Sequence, residues 1–438
     1  MSTNTDYGGS SILSLSIPST SLGSNGTHHL EFYAIDRANN RSSIGMIRFA
    51  TAPYTIDGNK LIDTSTNKEI ILYGAHISRP EIFDPSKTLA YNNWRDVATY
   101  LQKDIAELKS IGANAIRLGI SPAWMKYNNT GSGELRLDYY IESAISAAIS
   151  NGMYVLLDFH AIDATVYPYT KGSTTYGKRY DDTKTTYELM QEFWARYAPL
   201  YNGRRDPLHI RYVFFELFNE EVRNAENISE WMDYKAKMEY VISNIIRPNA
   251  PYNVIIVNGL NNGLNLRRVA EGYNIKDPKN LLIYGWHPYP NSVRPTYTER
   301  EALTDYYRTA SSSWDWNLGA RTATTTNANA KPVPSIYPTL ITEFGWRDPN
   351  VRTDLTDAQK NEYGGRYVRD SNKYDYGKSI LTYSSNMGIK GYFPFRFYYE
   401  KLAIVGQMPD WWNPNRSYTY TSDYGTIIRA WFTDKSIP

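Results

Sequence analysis

The chain has 438 residues, of which 42% are hydrophobic and 21% charged, and its formal net charge is +2. This composition is typical of a globular protein, and the small net charge gives no field that would attract nucleic acid or an anionic membrane. The absence of cysteine excludes disulfides, thiolate metal sites and a cysteine nucleophile. No apolar run approaches the ~18 residues of a membrane span, so we expect no membrane insertion.

The first 54 residues differ in pattern from the rest. Residues 29–50, HLEFYAIDRANNRSSIGMIRFA, are two β-like runs around a polar Asn39-Asn40 turn, which predicts a hairpin. The spacing from Gly26 to Ser42 resembles the last strand pair of a bacterial immunoglobulin-like or fibronectin-like module. We therefore predict a β-rich accessory segment over residues 1–54, about half the length of a full sandwich, and a larger main domain over 55–438. The resemblance implies further accessory domains in the natural protein.

A second hairpin follows in YTIDGNKLIDTSTNKEIILYGAH, with a turn at Asp57-Gly58 and a second polar turn at Asn67-Lys68. Beyond it, strand-like apolar runs alternate with helical periods, which are clearest at 101–112, 140–152 and 230–246. The strand-like runs are IILYGA, ANAIRLGI, MYVLLDFH, YVFFELFN, NVIIVNG, LLIYGWH, TLITEFGW and KGYFPFRF. This alternation favours an α/β fold, a (β/α)8 TIM barrel, over an open sheet. Three segments, 163–183, 311–338 and 406–422, are predicted to be long loops.

Two of these runs, FFELFNEE and LITEFGW, are apolar strands that end in a glutamate. A barrel carries its active site at the carboxyl ends of its strands, so Glu220 and Glu343 are expected to face one shared mouth. Two carboxyl groups that flank one bond are what glycoside hydrolysis requires. The alternative is that each glutamate only begins a helix, where the macrodipole favours an acid.

The same runs resemble glycoside hydrolase family 5, the cellulase and mannanase family. Asn219-Glu220 match its strand-four pair, and Glu343 in TEFG matches its strand-seven glutamate. The resemblance implies that Glu220 is the acid/base and Glu343 the nucleophile of a retaining mechanism. The other matching positions are Arg117 in AIRLGIS, His160 in LLDFH, and His287 and Tyr289 in WHPYP.

Each matching residue has an expected role. Arg117 orients Glu343, and Tyr289 donates its hydroxyl to the same carboxylate. Asn219 offers an amide to the sugar 2-hydroxyl. The other roles fall to His160 and His287, which bond sugar hydroxyls or the acid/base, and to Glu216, which points into the barrel and pairs with a base. We also expect that Glu221, which stands where the family usually has proline, raises the pKa of Glu220 by like-charge repulsion.

The aromatic residues and the end of the last strand concern substrate binding. Phe395 stands where the family typically has a tryptophan, and Arg396 follows it. We expect both to contact sugar. The tryptophans that are candidates for sugar platforms are Trp124, Trp286, Trp346, Trp411 and Trp412, with packing as the alternative for Trp286 and Trp346.

We expect a secreted or cell-surface, retaining endo-β-1,4-glucanase that hydrolyses cellulose-like β-glucans without a metal or other cofactor. The alternatives are an endo-β-1,4-mannanase on the same scaffold and a non-catalytic polysaccharide-binding protein, which would have lost one of the two carboxylates. A metal-dependent barrel hydrolase is disfavoured because the six histidines form no His-x-His or HExxH motif. Absent cysteine and abundant tyrosine suggest a thermophilic, archaeal source.

Overall fold

The structure is a computed structural model. It describes residues 27–32, 38, 40, 45–50, 52–77, 94–122, 125, 137–162, 169–171, 174–176, 184–289, 314–320, 331–345, 374–395, 397, 418, 420 and 424–435. Every residue whose contacts are given below lies within these ranges.

Within the described ranges, three small antiparallel sheets lie outside the barrel. The strands are β1 (Thr27–Phe32), β2 (Gly45–Ala50), β3 (Tyr54–Asp57), β4 (Lys60–Asp63), β5 (Lys68–Glu69), β6 (Leu72–His76), β7 (Ala115–Ile120), β8 (Tyr154–Phe159), β9 (Tyr169–Lys171) and β10 (Thr174–Tyr176). Of these, β1 pairs with β2, β3 and β5 flank β4, and β9 pairs with β10. Both hairpins predicted near the N-terminus are confirmed. The immunoglobulin-like origin of the first and the boundary at residue 54 stay predictions.

Eight strands form a closed barrel in which β6, β7 and β8 are followed by β11 (Val213–Glu216), β12 (Ile255–Asn258), β13 (Leu282–Trp286), β14 (Thr339–Phe344) and β15 (Gly391–Pro394). Every pairing around the barrel is parallel, and β15 closes the ring on β6. Seven of these eight strands fall within a predicted run, and β6 extends one residue past its run, to His76. The (β/α)8 prediction is therefore confirmed.

Helices connect the strands. They are α1 (Trp94–Ser110), α2 (Leu137–Ser150), α3 (Thr186–Tyr197), α4 (Pro207–Tyr212), α5 (Ile228–Val241), α6 (Arg247–Asn249), α7 (Arg267–Ala270), α8 (Val333–Ile336), α9 (Tyr374–Asn386) and α10 (Tyr424–Asp434). The predicted helix at 230–246 is continuous, but its last turn, Ile242–Ile246, is π-helical. Gly112 and Gly152 follow α1 and α2 with φ of +94° and +65°, which is typical of helix C-termini. None of the described helices has both the length and the apolar character needed to cross a bilayer.

Two of the predicted loops contain regular structure. The segment 163–183 includes β9 and β10, whose Thr and Tyr residues favour strands and flank a Gly172-Ser173 pair of turn-forming type. The segment 311–338 includes helical residues at 314–318 and α8. The prediction of irregular loops was wrong there, because short elements give too weak a periodic signal.

The lower half of the barrel interior is apolar. One inward side chain comes from each strand: Leu72, Ala115, Leu156, Phe214, Ile256, Ile283, Leu340 and Phe393. Tyr54 of β3 and Leu61 of β4 pack against this layer. The Tyr54 hydroxyl donates to the Arg211 carbonyl at 2.6 Å, which holds the hairpin against the barrel. The amino ends of the strands are thus sealed, and the functional groups lie at the carboxyl ends.

Candidate active site

A polar layer lies directly above the apolar one. Side chains alternate along a strand, so the residues two positions further on also point inward. Five of them are polar and almost completely buried: Arg117, Asp158, Glu216, Asn258 and Thr342. We refer to these five residues as the polar layer. Buried polar groups on this scale need partners, and one guanidinium in the layer contacts two of its other four members.

Arg117 is the centre of the polar layer. Its Nε and Nη2 donate to the two oxygens of Glu216 at 2.8 and 2.7 Å, the expected bidentate pair. Its Nη2 also lies 3.0 Å from Asp158 Oδ2 and 2.6 Å from Asn219 Oδ1. Its Nη1 donates to Glu343 Oε2 at 2.6 Å. One side chain thus fixes both Glu343 and the residue before Glu220, and the expectation that Glu216 pairs with a base is met.

Replacement of Arg117 by leucine is expected to lower the free energy of unfolding by about 3–5 kcal/mol, because Glu216 and Asp158 are left buried without their cation. Urea denaturation measures this loss. The matched control is Arg196→Leu, which removes the exposed pair with Asp138 and should cost less than about 1 kcal/mol. Equal costs for both variants would contradict the central position of Arg117.

Glu343 is the penultimate residue of β14 and receives two hydrogen bonds. Besides Arg117, the Tyr289 hydroxyl donates to Glu343 Oε1 at 2.7 Å. Burial and the neighbouring Glu343 charge raise the pKa of Tyr289 well above its usual value, so this hydroxyl stays a donor. Glu343 itself is 6% exposed. Both oxygens are therefore held in place, with an edge open to the mouth.

Glu220 follows β11 and is less constrained. Its backbone N–H donates to the Ala161 carbonyl at 2.9 Å, which fixes the main chain. Its Oε1 lies 3.1 Å from His287 Nδ1, and Asn262 Nδ2 donates to its Oε2 at 3.4 Å. Burial raises the pKa of Glu220 above the ordinary carboxyl value. Glu220 thus holds its proton more tightly than an exposed carboxyl group does.

Glu221 does not act as expected. It is buried at 1% exposure, and its Oε1 accepts from the Arg223 backbone N–H at 3.3 Å and lies 3.4 Å from Arg223 Nε. Burial, and not this carboxylate, is the main cause of the raised pKa of Glu220. The expectation of like-charge repulsion was wrong because the side chain turns toward Arg223.

The two carboxyl groups and His287 are close together. One oxygen of Glu220, one of Glu343 and one nitrogen of His287 lie within 4.8 Å of one another. Burial lowers the pKa of His287 and of His160 to about 4, so both imidazoles are neutral near pH 7. His160 Nδ1 lies 2.6 Å from Asp158 Oδ2, and burial raises the pKa of that carboxyl to about 7.

Two groups of described residues are compact enough to be tested as cation sites. One is the trio of Glu220, His287 and Glu343, and the other consists of His76, Asp158 and His160. Arg117 lies 2.6 Å from Glu343, 3.0 Å from Asp158 and 3.4 Å from His76. A fixed guanidinium at these distances repels a second cation, so we assign neither group to a metal.

The structure thus brings together all seven residues predicted for catalysis and its support. Trp286 is different: it is 0% exposed, donates its indole N–H to the Leu264 carbonyl at 2.8 Å and packs against Trp314 and Tyr383. The prediction of a sugar platform at Trp286 is wrong, because the outward positions of a barrel strand face the helices. The candidates that lie outside the described residues are Trp124, Trp346, Arg396, Trp411 and Trp412.

Phe395 lies at the mouth, half-buried. Its ring centroid is 4.9 Å from that of His76, which ends β6. His76 belongs to the site but was missed, although its position after the apolar run YGA was a usable signal. Asp158, Asn258 and Thr342 were also missed, and each stands two positions beyond an inward apolar residue. Asn262 gave no such signal, because its contact with Glu220 depends on a left-handed turn with φ of +60°.

A model of a protein family, described as Cellulase (glycosyl hydrolase family 5), matches residues 79–379. All seven predicted catalytic and supporting residues fall inside this range. No curated protein matches the chain.

Solved structures share the fold. A β-glucanase from Saccharophagus degradans is 22% identical, with a TM-score of 0.59 over 87% of this chain and 93% of that chain. The catalytic domain of an endoglucanase from Xanthomonas campestris pv. campestris is 18% identical, with a TM-score of 0.56 over 87% and 99%. A hyperthermophilic endocellulase from the archaeon Pyrococcus horikoshii is 17% identical, with a TM-score of 0.55 over 86% and 98%. At these identities the likeness is one of fold.

Proposed function

The chain belongs to glycosyl hydrolase family 5 and is a glycoside hydrolase, and from this premise we propose that it is a retaining endo-β-1,4-glucanase acting on cellulose-like β-glucans. The observation that carries the mechanism is the pair of carboxyl groups at the mouth, whose nearest oxygens lie within 4.8 Å. Retaining enzymes hold their two carboxyl groups about 5–5.5 Å apart, whereas inverting enzymes need roughly 6.5–9.5 Å to admit a water. The short separation favours retention.

The two carboxyl groups differ in environment, and the difference assigns their roles. Glu343 accepts from the cationic Arg117 and from Tyr289, which suits a carboxylate that attacks. Glu220 has a raised pKa and a neutral imidazole beside it, which suits a proton donor. Two neighbouring carboxyl groups with opposed environments are the usual sign of a nucleophile and an acid/base.

The proposed reaction has two steps. Glu343 attacks the anomeric carbon while Glu220 gives its proton to the departing glycosidic oxygen, so a glycosyl ester forms on Glu343. In the second step Glu220 takes a proton from water, and the hydroxide oxygen attacks the same carbon from the opposite side. Glu343 leaves as a carboxylate and Glu220 is again protonated, so the enzyme returns to its starting state.

The choice of glucan rests on the family's name and on the β-glucan substrates named for the structures with the same fold. Phe395, which lies at the mouth, and the predicted platforms outside the described residues are proposed to line the sugar-binding cleft. We propose a secreted or cell-surface location because a polymer such as cellulose cannot enter a cell. Accessory domains and a thermophilic source stay predictions.

Reducing-sugar release from carboxymethyl-cellulose, barley β-glucan and mannan tests the substrate, with Glu343→Gln as the inactive control. The proposal predicts release from both glucans and none in the variant. Release from mannan alone would move the chain to the mannanase alternative. Absence of release from all three by folded protein would contradict the proposed substrate class.

A further inference from the structure

His287 has a different partner at each ring nitrogen. Its Nδ1 lies 3.1 Å from Glu220 Oε1, and its Nε2 lies 3.0 Å from Thr342 Oγ1. A neutral imidazole carries one proton, so one nitrogen donates and the other accepts. Which nitrogen carries the proton decides whether His287 favours the neutral acid or the carboxylate of Glu220.

The orientation of Asn258 decides this question. Its Nδ2 lies 2.7 Å from Glu216 Oε1, 3.1 Å from the Phe218 carbonyl and 2.9 Å from the Asn219 carbonyl. Carbonyl oxygens can only accept, so the group that faces them must be the amide NH2. The opposite atom of Asn258 is therefore its carbonyl oxygen, which can only accept.

The remaining protons follow in sequence. Thr342 Oγ1 lies 3.0 Å from Asn258 Oδ1, so the threonine hydroxyl must donate there. Having used its only proton, Thr342 accepts from His287, and the imidazole proton is on Nε2. The Nδ1 lone pair of the neutral ring then faces Glu220 Oε1. A carboxylate at that place would be repelled, whereas a carboxylic acid donates its proton to Nδ1.

Two glycines make this chain of contacts possible. Gly285 of β13 lies between Asn258 of β12 and Thr342 of β14, and a Cβ on it would overlap the Asn258 side-chain oxygen. Gly263 has a φ of +75°, and a Cβ there would lie 2.6 Å from the His287 ring. Gly285 lets Thr342 of β14 hydrogen-bond to Asn258 of β12 across the intervening strand β13. Gly263 lets the backbone pack against the His287 ring.

We propose that Thr342 and Asn258 are positioning residues that hold His287 as its Nε2–H tautomer and thereby keep Glu220 in the protonated form that begins the reaction. The inference rests on the proposed acid/base role of Glu220. Neither residue touches substrate in this account. They transfer no proton of their own and act only through the imidazole.

Other groups also face Glu220. The charged or titratable side chains around it, besides His287, are Arg117, Asp158, His160, Tyr289 and Glu343. Burial raises the pKa of Glu220, whereas the charge of Arg117, and that of His160 when it is protonated, lower it. None of these groups would be changed by removal of the Thr342 hydroxyl.

Thr342→Val removes the acceptor of the Nε2 proton while it keeps the shape of the side chain. The imidazole is then expected to move its proton to Nδ1 and donate to Glu220, which stabilises the carboxylate and lowers the pKa of the acid. The alkaline limb of the kcat/KM profile reports that group in the free enzyme. We expect this alkaline limb to move to lower pH by about one unit on β-glucan, because the free energy of a hydrogen bond to a charged group corresponds to a pKa change of that size.

Three comparisons separate this effect from simple damage. Thr342→Ser keeps the hydroxyl and should restore the wild-type limb. Thr339→Val removes a hydroxyl from the other end of the same strand, where it donates to the Tyr337 carbonyl, and should leave the limb in place. Hydrolysis of 2,4-dinitrophenyl β-cellobioside, whose leaving group needs no proton, should show no shift in Thr342→Val. A limb that stays in place in folded Thr342→Val would overturn the proposal.

Nitrogen-15 NMR of histidine-labelled wild-type protein tests the tautomer without any substrate, so a wrong proposed function leaves this result intact. The proposal predicts that neutral His287, assigned by its loss in His287→Gln, carries its proton on Nε2. A proton on Nδ1 in the wild type would overturn the proposal even if the protein proved to be an active glucanase.

Discussion

Glu343→Gln is expected to reduce hydrolysis of every substrate by roughly 10⁵-fold, which corresponds to about 7 kcal/mol in the activation barrier. The amide cannot attack the anomeric carbon, so no glycosyl ester forms. The fold should survive, because Arg117 keeps its contacts with Glu216 and Asp158. Initial rates on β-glucan and the far-ultraviolet circular dichroism spectrum measure the two effects.

The matched control for this variant is Glu192→Gln, which removes an exposed carboxylate paired with Lys184 and should keep full activity. The fold-loss of rate in Glu343→Gln, relative to wild type, should be as large with dinitrophenyl cellobioside as with natural substrates. A collapsed spectrum would mean that Glu343 is needed for folding. More than a few per cent of residual activity in folded protein would exclude it as the nucleophile.

Glu220→Gln is expected to depend on the substrate. Loss of a general acid costs typically 10²–10⁴-fold, so we expect roughly 10³-fold slower release of sugar from β-glucan. The first step with dinitrophenyl cellobioside should be nearly unchanged, because that leaving group departs without a proton. We expect a pre-steady-state burst of dinitrophenol followed by slow turnover, because Glu220→Gln has no general base for the second step.

The pH dependence of kcat/KM provides a second test of the acid/base role of Glu220. Burial raises the pKa of Glu220, so the wild-type acid persists above the usual carboxyl range and activity falls as the pH rises through that value. Glu220→Gln should lack this alkaline limb on β-glucan. Equal losses on natural and activated substrates, or a preserved limb, would contradict the acid/base role.

The sequence predicted the barrel and the place of its glutamates for one physical reason. Parallel strands that are buried on both faces give continuous apolar runs, and a charged residue at the end of such a run is conspicuous. Glu220 and Glu343 both have this signature, so their meeting at one mouth followed from the fold class. The inward position of Glu216 and its pairing with a base, which is Arg117, followed in the same way.

The features of the site that the sequence did not predict depend on the pleat and register of neighbouring strands and on local backbone conformation. Trp286 looked like Trp346 in sequence, but whether a ring faces the mouth or the helices is set by the pleat at that one position. The contact of Thr342 with Asn258 required the register of three strands and a glycine between them. Asn262 reaches Glu220 only because two consecutive asparagines, at 261 and 262, adopt left-handed φ values of +57° and +60°. No periodic pattern encodes these features.

Peptide mass mapping after incubation with 2,4-dinitrophenyl 2-deoxy-2-fluoro-β-cellobioside tests whether Glu343 forms a covalent glycosyl ester. The fluorine slows both steps by destabilising the oxocarbenium-like transition state, while the dinitrophenolate leaves without an acid, so the ester accumulates. We predict one added fluorocellobiosyl group, on the peptide that contains Glu343. Its appearance on another residue, or its absence from protein that hydrolyses β-glucan, would contradict the account.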